Sequence, residues 1–359
     1  MIKTLLTLVL AVLPAWDHPG YDAEDSYYNP HESAVNAGSI NHLTRTWSVR
    51  LRQLDPSCAV SASPLIAGGR VFVTDAIGIS AYQASDGRAL WHFTWEVPDD
   101  TSTPVLAVAG NALIAATGDC HSNSDPNGVI TALDVATGKT IWHVATDTPV
   151  FTLAVDKGVA VISGSSPSDE LTTLAFRASD GKPLWKKPLF SSSGVSANGR
   201  LLLTHDNTTA AADITTGTVR WTRPTAWTAQ AATPAGDHFV VTSGTTLTLL
   251  NATDGTVTWS APDKAGTLLA TDGRRVYRAD DRLVEALDAR NGHPVWSRFV
   301  PAEVTQPLRA GGLLYTGGPI LNAATGTVAS PGTAYPGHRL PAGGHLYTVT
   351  DTTLSSYAP

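Results

Sequence analysis

One stretch of the sequence carries the residue types that bind a hard cation. Side chains with oxygen donors occupy alternate positions at Asn123, Asp125 and Asn127, directly before Gly128. This spacing imitates the start of a calcium loop, which also needs a bidentate glutamate. No glutamate follows at the required distance, and Pro126 stiffens the chain. The stretch therefore favours a turn, and we predict no metal site here.

Motifs for catalysis are absent from the sequence. The 11 histidines are scattered without an H-x-x-x-H pair, so a zinc site is not indicated. The chain has no G-x-S-x-G elbow, no phosphate-binding loop and no G-x-G-x-x-G fingerprint. We therefore predict no catalytic residue and no cofactor from these patterns.

Composition narrows the possible partners and the fold class. The 359 residues carry a net charge of −7, and only 15% are charged. Nucleic acids and anionic membranes need a cationic surface, so neither is predicted as a partner. No apolar run approaches the roughly 20 residues that span a bilayer. With 31 Gly and 23 Pro, the chain favours many short strands and turns over helices.

The N-terminus has the pattern of an export signal. Lys3 precedes an apolar stretch at residues 4–13, and Ala15 offers a small residue for cleavage. We predict a signal peptide at residues 1–15, an extended segment at 16–38, and a secreted, periplasmic or envelope location. A buried strand or a misassigned start codon would also explain the apolar stretch.

The clearest pattern is a repeat marked by tryptophan. Six tryptophans each follow a turn glycine by four residues: Trp91, Trp142, Trp185, Trp221, Trp259 and Trp296. A seventh copy keeps Gly326 but has Ser330 in the tryptophan position. Most copies begin with a small alanine, such as Ala132, which leaves room for a large ring. We predict that the tryptophans tie neighbouring units together by filling the gap between them.

A second glycine recurs in step with the first and sets the number of units. Eight glycines precede short apolar runs, so each repeat of about 40 residues contains four strands, the size of one propeller blade. The eighth repeat lacks its last strand, and a surplus tryptophan strand with Trp47 lies near the N-terminus. We predict an all-β fold at residues 39–359: an eight-bladed propeller of four-stranded antiparallel blades, closed by that strand. Seven blades are the alternative.

The two cysteines fall on neighbouring loops of this architecture. Cys58 precedes the innermost strand of the first blade, and Cys120 lies between the second and third strands of the next. Both kinds of loop emerge on the same face of a propeller. Exported proteins with an even cysteine count tend to pair them, so we predict a Cys58–Cys120 disulfide. Two buried free thiols are the alternative.

The repeat also carries a family resemblance. The strings ALDVATGKTIW and ALDARNGHPVW resemble the tryptophan-docking motif of quinoprotein-type propellers. That group includes the pyrroloquinoline-quinone (PQQ) alcohol dehydrogenases and an outer-membrane assembly lipoprotein with the same repeat. The resemblance covers nearly the whole chain after residue 15, and it implies the propeller fold rather than a particular activity.

The chain departs from the enzymes of this group in several respects. Those enzymes carry a vicinal cysteine pair beneath the quinone, whereas Cys58 and Cys120 are far apart in the sequence. Their long active-site insertions and their acidic residues for Ca²⁺ have no counterpart that can be matched here. A PQQ-dependent dehydrogenase of alcohols or sugars, with PQQ and Ca²⁺ bound, therefore stays an alternative.

The remaining candidate surface is the face with the longest loops and the mouth of the channel. We expect a monomeric, non-catalytic scaffold that binds a protein or peptide there, with a small-ligand or glycan sensor as another alternative. The candidate residues in these loops are Asp119, His121, Asn123, Asp125, Asn127, Glu170, His205 and Asp206.

Overall fold

The computed structural model describes residues 16–55, 57–60, 62–122, 124–264 and 266–359. In this part of the chain, eight sheets stand around a ring, and the helix content is one 3₁₀ turn, Pro98–Asp100. Each sheet contains a four-stranded antiparallel meander, whose strands we label A to D from the channel outward. Strands A of blades 1 to 7 contact one another in turn around the centre.

Every blade contributes four short strands, in the order A to D. Blade 1 has Leu65–Ala67, Arg70–Thr74, Gly78–Gln83 and Ala89–Thr94; blade 2 has Val105–Ala109, Ala112–Gly118, Gly128–Asp134 and Thr140–Thr146. Blade 3 has Thr152–Asp156, Val159–Gly164, Thr172–Arg177 and Pro183–Pro188; blade 4 has Ser191–Ala197, Arg200–His205, Thr208–Asp213 and Val219–Arg223. Blade 5 has Thr228–Ala232, His238–Ser243, Thr246–Asn251 and Val257–Pro262; blade 6 has Leu268–Thr271, Arg275–Asp280, Leu283–Asp288 and Pro294–Phe299. Blade 7 has Leu308–Ala310, Leu313–Tyr315, Ile320–Asn322 and Val328–Ser330; blade 8 has His338–Ala342, His345–Val349, Thr353–Ala358 and Thr44–Arg50.

Blade 8 closes the ring with strands from distant parts of the chain. Its strand D, Thr44–Arg50, pairs antiparallel with Thr353–Ala358, and Trp47 lies opposite Ser356. This pairing covers the outer edge of Thr353–Ala358, which would otherwise be open. The prediction of eight blades closed by an N-terminal strand is therefore confirmed, and the seven-bladed alternative is wrong.

The two faces of the ring differ in their connections. The A–B and C–D turns lie on one face, which we call the turn face. The B–C loops and the connections from strand D to the next strand A lie on the other, the loop face.

Between the two faces, the middle strands of each blade bury both of their sides against neighbouring blades. In blade 1 the consecutive residues Val71, Phe72 and Val73 are all 0% exposed. Burial on both sides explains why these strands read as apolar runs without alternation.

Seven tryptophans of strands D reach across to the next blade. Each indole N–H donates to a backbone carbonyl of that blade at 2.8–3.1 Å. The ring lies against the turn glycine of that blade, where a Cβ added to Gly181 would come within 2.8 Å of the Trp142 ring. Ala132 is the cross-strand neighbour of Trp142, so the small residue does face the ring. The acceptors are the carbonyls of Ala84, Val135, Ala178, Ile214, Ala252, Ala289 and Ala323.

The junction between blades 7 and 8 is built differently. Strands C and D of blade 8 come from distant parts of the chain, so no tight turn joins them for a tryptophan to contact. Ser330, buried at the tryptophan position, faces this junction. Asn41 donates its side-chain amide to the Ala329 carbonyl at 2.9 Å, and the Tyr335 hydroxyl donates to the carbonyl of buried Ile40 at 2.6 Å. The N-terminal segment therefore fills the place that a tryptophan fills elsewhere.

Candidate functional site

An N-terminal strap, residues 16–36, closes the channel at the turn face. It hydrogen-bonds to strands A of successive blades near the points where they enter the A–B turns. Most of these bonds join two backbones, and His18 and Asn29 contribute side-chain contacts. Its partners from blade 1 to blade 8 are Ile66, Val108, Val155, Ser196, Ala232, Thr271, Arg309 and Pro341. Because the strap contacts every blade in turn, access to the channel is from the loop face.

The strap places ionisable side chains inside the ring. Burial raises the pKa of Asp22 to about 7 and the pKa of Asp25 to about 6. Burial alone would lower the pKa of His18, but the Asp17 carboxylate, 2.6 Å from its Nδ1 atom, raises it overall. The other ring nitrogen, Nε2, lies 2.7 Å from the Val155 carbonyl, which also raises the His18 pKa. Folding therefore strengthens proton binding at all three groups.

We expect the stability of the protein to fall as the pH rises from about 4 to about 7. A carboxyl group whose pKa is raised by folding favours the folded state at low pH and loses that contribution as the pH passes through the folded pKa. This applies to Asp22 and Asp25, and the raised pKa of His18 acts in the same direction. Asp22→Asn is expected to flatten the dependence of the melting temperature on pH. Each 1 kcal/mol of unfolding free energy recovered at pH 8 should raise the melting temperature by about 2–4 °C.

The control for this prediction is Asp206→Asn on the loop face, whose side chain is 84% exposed. Aspartates with lowered pKa values do not interfere, because they titrate at lower pH; the hydrogen bond from Arg290 lowers the pKa of Asp288 to about 2. A melting temperature that rises steadily from pH 5 to pH 8, or an unchanged slope in Asp22→Asn, would contradict the prediction.

Above the strap, the channel holds a cavity of about 570 Å³ that opens toward the loop face. Trp16, Pro19 and Tyr27 of the strap line its floor. Blades 7, 8 and 1 supply the walls, with polar groups such as Gln306 and His338 among apolar side chains. The volume lies in the range of about 300–1,000 Å³ that is typical of ligand pockets.

Two polar side chains, one buried and one half-buried, distinguish the cavity wall. Tyr315 is 2% exposed, its hydroxyl has no hydrogen-bond partner among the described residues, and burial raises its pKa. Arg339 donates to the carbonyls of Tyr335, Gly318 and Gly332 at 2.7–2.8 Å, so its guanidinium holds the surrounding loops. A buried hydroxyl without a partner is costly, and Tyr315 also lines the cavity.

The cavity does not match the donor set of a calcium-bound quinone. Ca²⁺ takes about six to eight oxygen ligands, usually with several carboxylates. Among the described lining residues, Asp351 is the one carboxylate. PQQ itself is a tricarboxylate and needs cationic partners, whereas the N–H groups of Arg339 are engaged by three carbonyls. The lining suits an uncharged polar occupant better than this cofactor.

The loop of blade 2 is held by its own polar residues. Asp119 accepts hydrogen bonds from the backbone and side-chain nitrogens of Asn127, at 3.1 and 3.3 Å. Asp125 accepts a hydrogen bond from the Ser168 hydroxyl at 2.7 Å, which joins the loops of blades 2 and 3. These carboxylates support a closed turn, in agreement with the turn interpretation. Asn123 lies outside the described residues.

The other predicted loop residues lie elsewhere on the loop face. Glu170 is exposed in the B–C loop of blade 3. His205 and Asp206 lie in blade 4, where the His205 Nδ1 atom is 2.8 Å from the Leu189 carbonyl. The structure therefore does not gather the predicted candidates into one site.

A disulfide joins Cys58 to Cys120, whose Cα atoms are 6.4 Å apart. It links the connection from blade 8 to blade 1 with the B–C loop of blade 2. His121 lies beside it, with its Nε2 atom 3.5 Å from the Cys58 sulfur. These three residues are the one set of close metal-ligand atoms in the described chain, and the disulfide engages both sulfurs. The Asp100 carboxylate accepts the His121 backbone N–H at 2.8 Å, which fixes the loop further.

Large apolar side chains are exposed in two zones of the described surface. The first zone is the outer rim, at strands D, with Ile141, Leu184, Val219, Val257, Val295 and Val328. The second zone is the loop face, with Leu54, Val60, Val97, Phe151, Leu189, Leu268 and Phe299. Phe299 is 78% exposed and Phe151 is 62% exposed. These exposed side chains make the loop face a candidate interaction surface.

Sequence reasoning missed both the strap and the apolar loop face. The strap has no repeat pattern, although its density of aromatic and acidic residues, as in YDAEDSYY, is unusual in this chain. Phe299 ends a strand D and Phe151 directly precedes a strand A, and an aromatic residue at such a position could have served as a signal. Tyr315 has no distinguishing sequence context, because it completes an ordinary strand B.

Comparison with known proteins supports both the fold and a family. A family model described as "Outer membrane protein assembly factor BamB" matches residues 44–222 and 223–331. The BamB of Burkholderia pseudomallei is 26% identical over 176 residues, which are 45% of this chain and 44% of that protein. A quinohemoprotein alcohol dehydrogenase, ADH IIB of Pseudomonas putida, is 25% identical over 150 residues, which are 42% of this chain and 21% of the enzyme. The matched part thus spans less than half of either relative.

Solved structures show the same fold at low sequence identity. The quinohemoprotein alcohol dehydrogenase from Comamonas testosteroni superposes with a TM-score of 0.68 at 13% identity, covering 96% of this chain and 80% of the enzyme. BamB from Moraxella catarrhalis superposes with a TM-score of 0.62 at 17% identity, covering 88% of this chain and all of that protein. No helix in the described residues has the length and hydropathy of a membrane span.

Proposed function

Because the chain belongs to the family of the outer membrane protein assembly factor BamB, we propose that it is a non-catalytic scaffold of the cell envelope that binds a protein or peptide partner. The proposal assigns the loop face as the binding surface. The observation that carries it is the set of exposed apolar side chains on that face, led by Phe299 and Phe151. The strap covers the centre of the turn face, and the other exposed apolar side chains lie on the outer rim.

The loop face also offers recesses that can receive side chains of a partner. A shallow cavity of about 240 Å³ lies beside Phe151 and is lined by Leu171, Ser193 and Trp227. The Ser193 hydroxyl is buried there without a hydrogen-bond partner among the described residues. Apolar anchors beside recesses with unpaired polar groups are suited to a peptide, which offers both apolar side chains and backbone donors and acceptors.

The test is site-specific photocrosslinking to a cell-envelope fraction, with the crosslinker placed at Phe299 or Phe151. The matched control position is Val257 on the rim, which is also exposed, at 51%. We expect a defined protein to crosslink from the two loop-face positions and not from the control. After that protein is identified and purified, Phe299→Ser is expected to weaken its binding about tenfold or more, since aromatic anchors dominate interface energies. Val257→Ser should leave the affinity unchanged.

Two outcomes would contradict the proposal. Crosslinks confined to the rim or the turn face would place the partner elsewhere. Oxidation of an alcohol or sugar after PQQ and Ca²⁺ are added, measured with a dye as electron acceptor, would support the dehydrogenase alternative instead.

A further inference from the structure

We propose that the turn face carries an anion site between blades 6 and 7 that binds the phosphate group of a small molecule. A cavity of about 890 Å³ opens there, away from the channel and from the loop face. Its walls are the A–B and C–D turns of the two blades, and Tyr28 of the strap contributes to its lining. The volume again falls in the range of about 300–1,000 Å³ of small-molecule sites.

The cavity is positively charged in a protein of net negative charge. Its lining contains two carboxylates, Asp272 and Asp288, and four guanidinium groups: Arg274, Arg275, Arg290 and Arg309. Two positive charges are therefore in excess, although the whole chain carries −7. A positively charged cavity on a negatively charged protein attracts anions to this part of the surface.

The two carboxylates are already engaged by groups of the protein. Asp288 accepts two hydrogen bonds from Arg290, from Nε at 3.1 Å and from Nη2 at 2.7 Å. Asp272 accepts the Tyr277 hydroxyl at 3.0 Å and the backbone N–H groups of Arg274 and Arg275 at 3.0 and 2.8 Å. With Asp288 paired to Arg290 and an Asp272 oxygen 3.6 Å from the Arg309 Nε, the charges of Arg274 and Arg275 have no carboxylate partner among the described residues.

Three arginines retain donors for an anion. Arg274 is exposed, and its side chain has no hydrogen-bond or ion-pair partner among the described residues. Arg275 uses one nitrogen to bond the Ala323 carbonyl at 2.7 Å and has no carboxylate partner among those residues.

The third arginine, Arg309, is held in place and left with an unpaired donor. Its guanidinium lies over the Tyr28 ring, 5.6 Å from the centroid, and its side chain is 19% exposed. Its buried Nε lies 3.6 Å from an Asp272 oxygen, which is within the range of an ion pair but too long for a hydrogen bond.

The arrangement favours phosphate among the common anions. Guanidinium groups present planar forks of N–H donors that match phosphate oxygens, and charge-assisted bonds of this kind are about twice as strong as neutral ones. A doubly charged phosphate monoester would offset the two excess positive charges.

The test uses sn-glycerol 3-phosphate as the probe, with isothermal titration calorimetry in a buffer free of phosphate. We expect saturable binding to the intact protein that weakens as NaCl is raised. Arg274→Gln is expected to weaken it at least about tenfold, because an exposed side chain without partners can be replaced without loss of the fold. Arg282→Gln is the matched control, since Arg282 is exposed in the same blade on the loop face. Succinate, a dicarboxylate, should bind more weakly than the phosphate ester.

Vesicles of phosphatidylglycerol and phosphatidylethanolamine distinguish a lipid headgroup from a soluble ligand. Vesicle binding that is lost in Arg274→Gln and kept in Arg282→Gln would assign the phosphate to a lipid and support the site. The proposal fails if neither probe binds, if both variants lose binding equally, or if succinate binds as tightly as the phosphate ester.

Discussion

Trp142→Ala is expected to lower the free energy of unfolding by about 3–5 kcal/mol, the range for large aromatic side chains removed from a core. The ring is 9% exposed, donates to the Ala178 carbonyl of the next blade at 2.9 Å, and covers Gly181. The substitution removes this hydrogen bond and leaves a cavity between two blades. Urea unfolding followed by circular dichroism measures the change.

The control is a substitution at Gly181, the residue that the Trp142 ring covers. Gly181 has φ of +68°, and a Cβ there would lie 2.8 Å from the Trp142 ring, so Gly181→Ala should be destabilising in the wild-type background. Part of that cost should vanish when Trp142 is already alanine, because the clash is gone. Ser330→Ala, at the equivalent position of blade 7, should cost less than about 1 kcal/mol. A thermal midpoint unchanged by Trp142→Ala would refute the tie between blades.

Removal of the disulfide by the double substitution Cys58→Ser and Cys120→Ser is expected to cost about 4 kcal/mol. The two cysteines are 62 residues apart in sequence, and the expected loss follows from the chain entropy that such a cross-link removes from the unfolded state. Denaturant unfolding of the double variant and of reduced wild-type protein should give the same loss. Equal stability of the oxidised protein and the double variant would contradict this prediction.

Much of the propeller could be predicted because the same short sequence motif recurs in most of the blades. Tryptophan at a fixed distance from a turn glycine marks strand D, and the alanine opposite, as at Ala132, marks strand C. The surplus Trp47 even indicated how the ring closes. Each blade depends on its own residues and on its neighbours, so a short pattern is enough to specify it.

The candidate site resisted prediction because its parts do not repeat. The cavity lining combines Trp16 with Tyr315 and Arg339, residues from the two ends of the chain that meet only when the ring is complete. Ser330 illustrates a second limit of prediction from the sequence. The sequence marked it as a degenerate copy, whereas the reason is that blade 8 has no C–D turn for a tryptophan to cover. A missing motif in one blade can thus reflect the geometry of the next.

The strap imposes an order on assembly. It is synthesised before every strand of the ring, yet its hydrogen-bond partners extend from Ile66 to Pro341. Strand Thr44–Arg50 likewise cannot form its pairing until Thr353–Ala358 has been synthesised. Contacts so distant in sequence make folding slow, and early segments stay unpaired while the rest of the chain emerges. An incomplete chain therefore exposes the carboxyls of the strap and an open strand edge together. Both features would distinguish unfinished molecules from finished ones for any chaperone or protease.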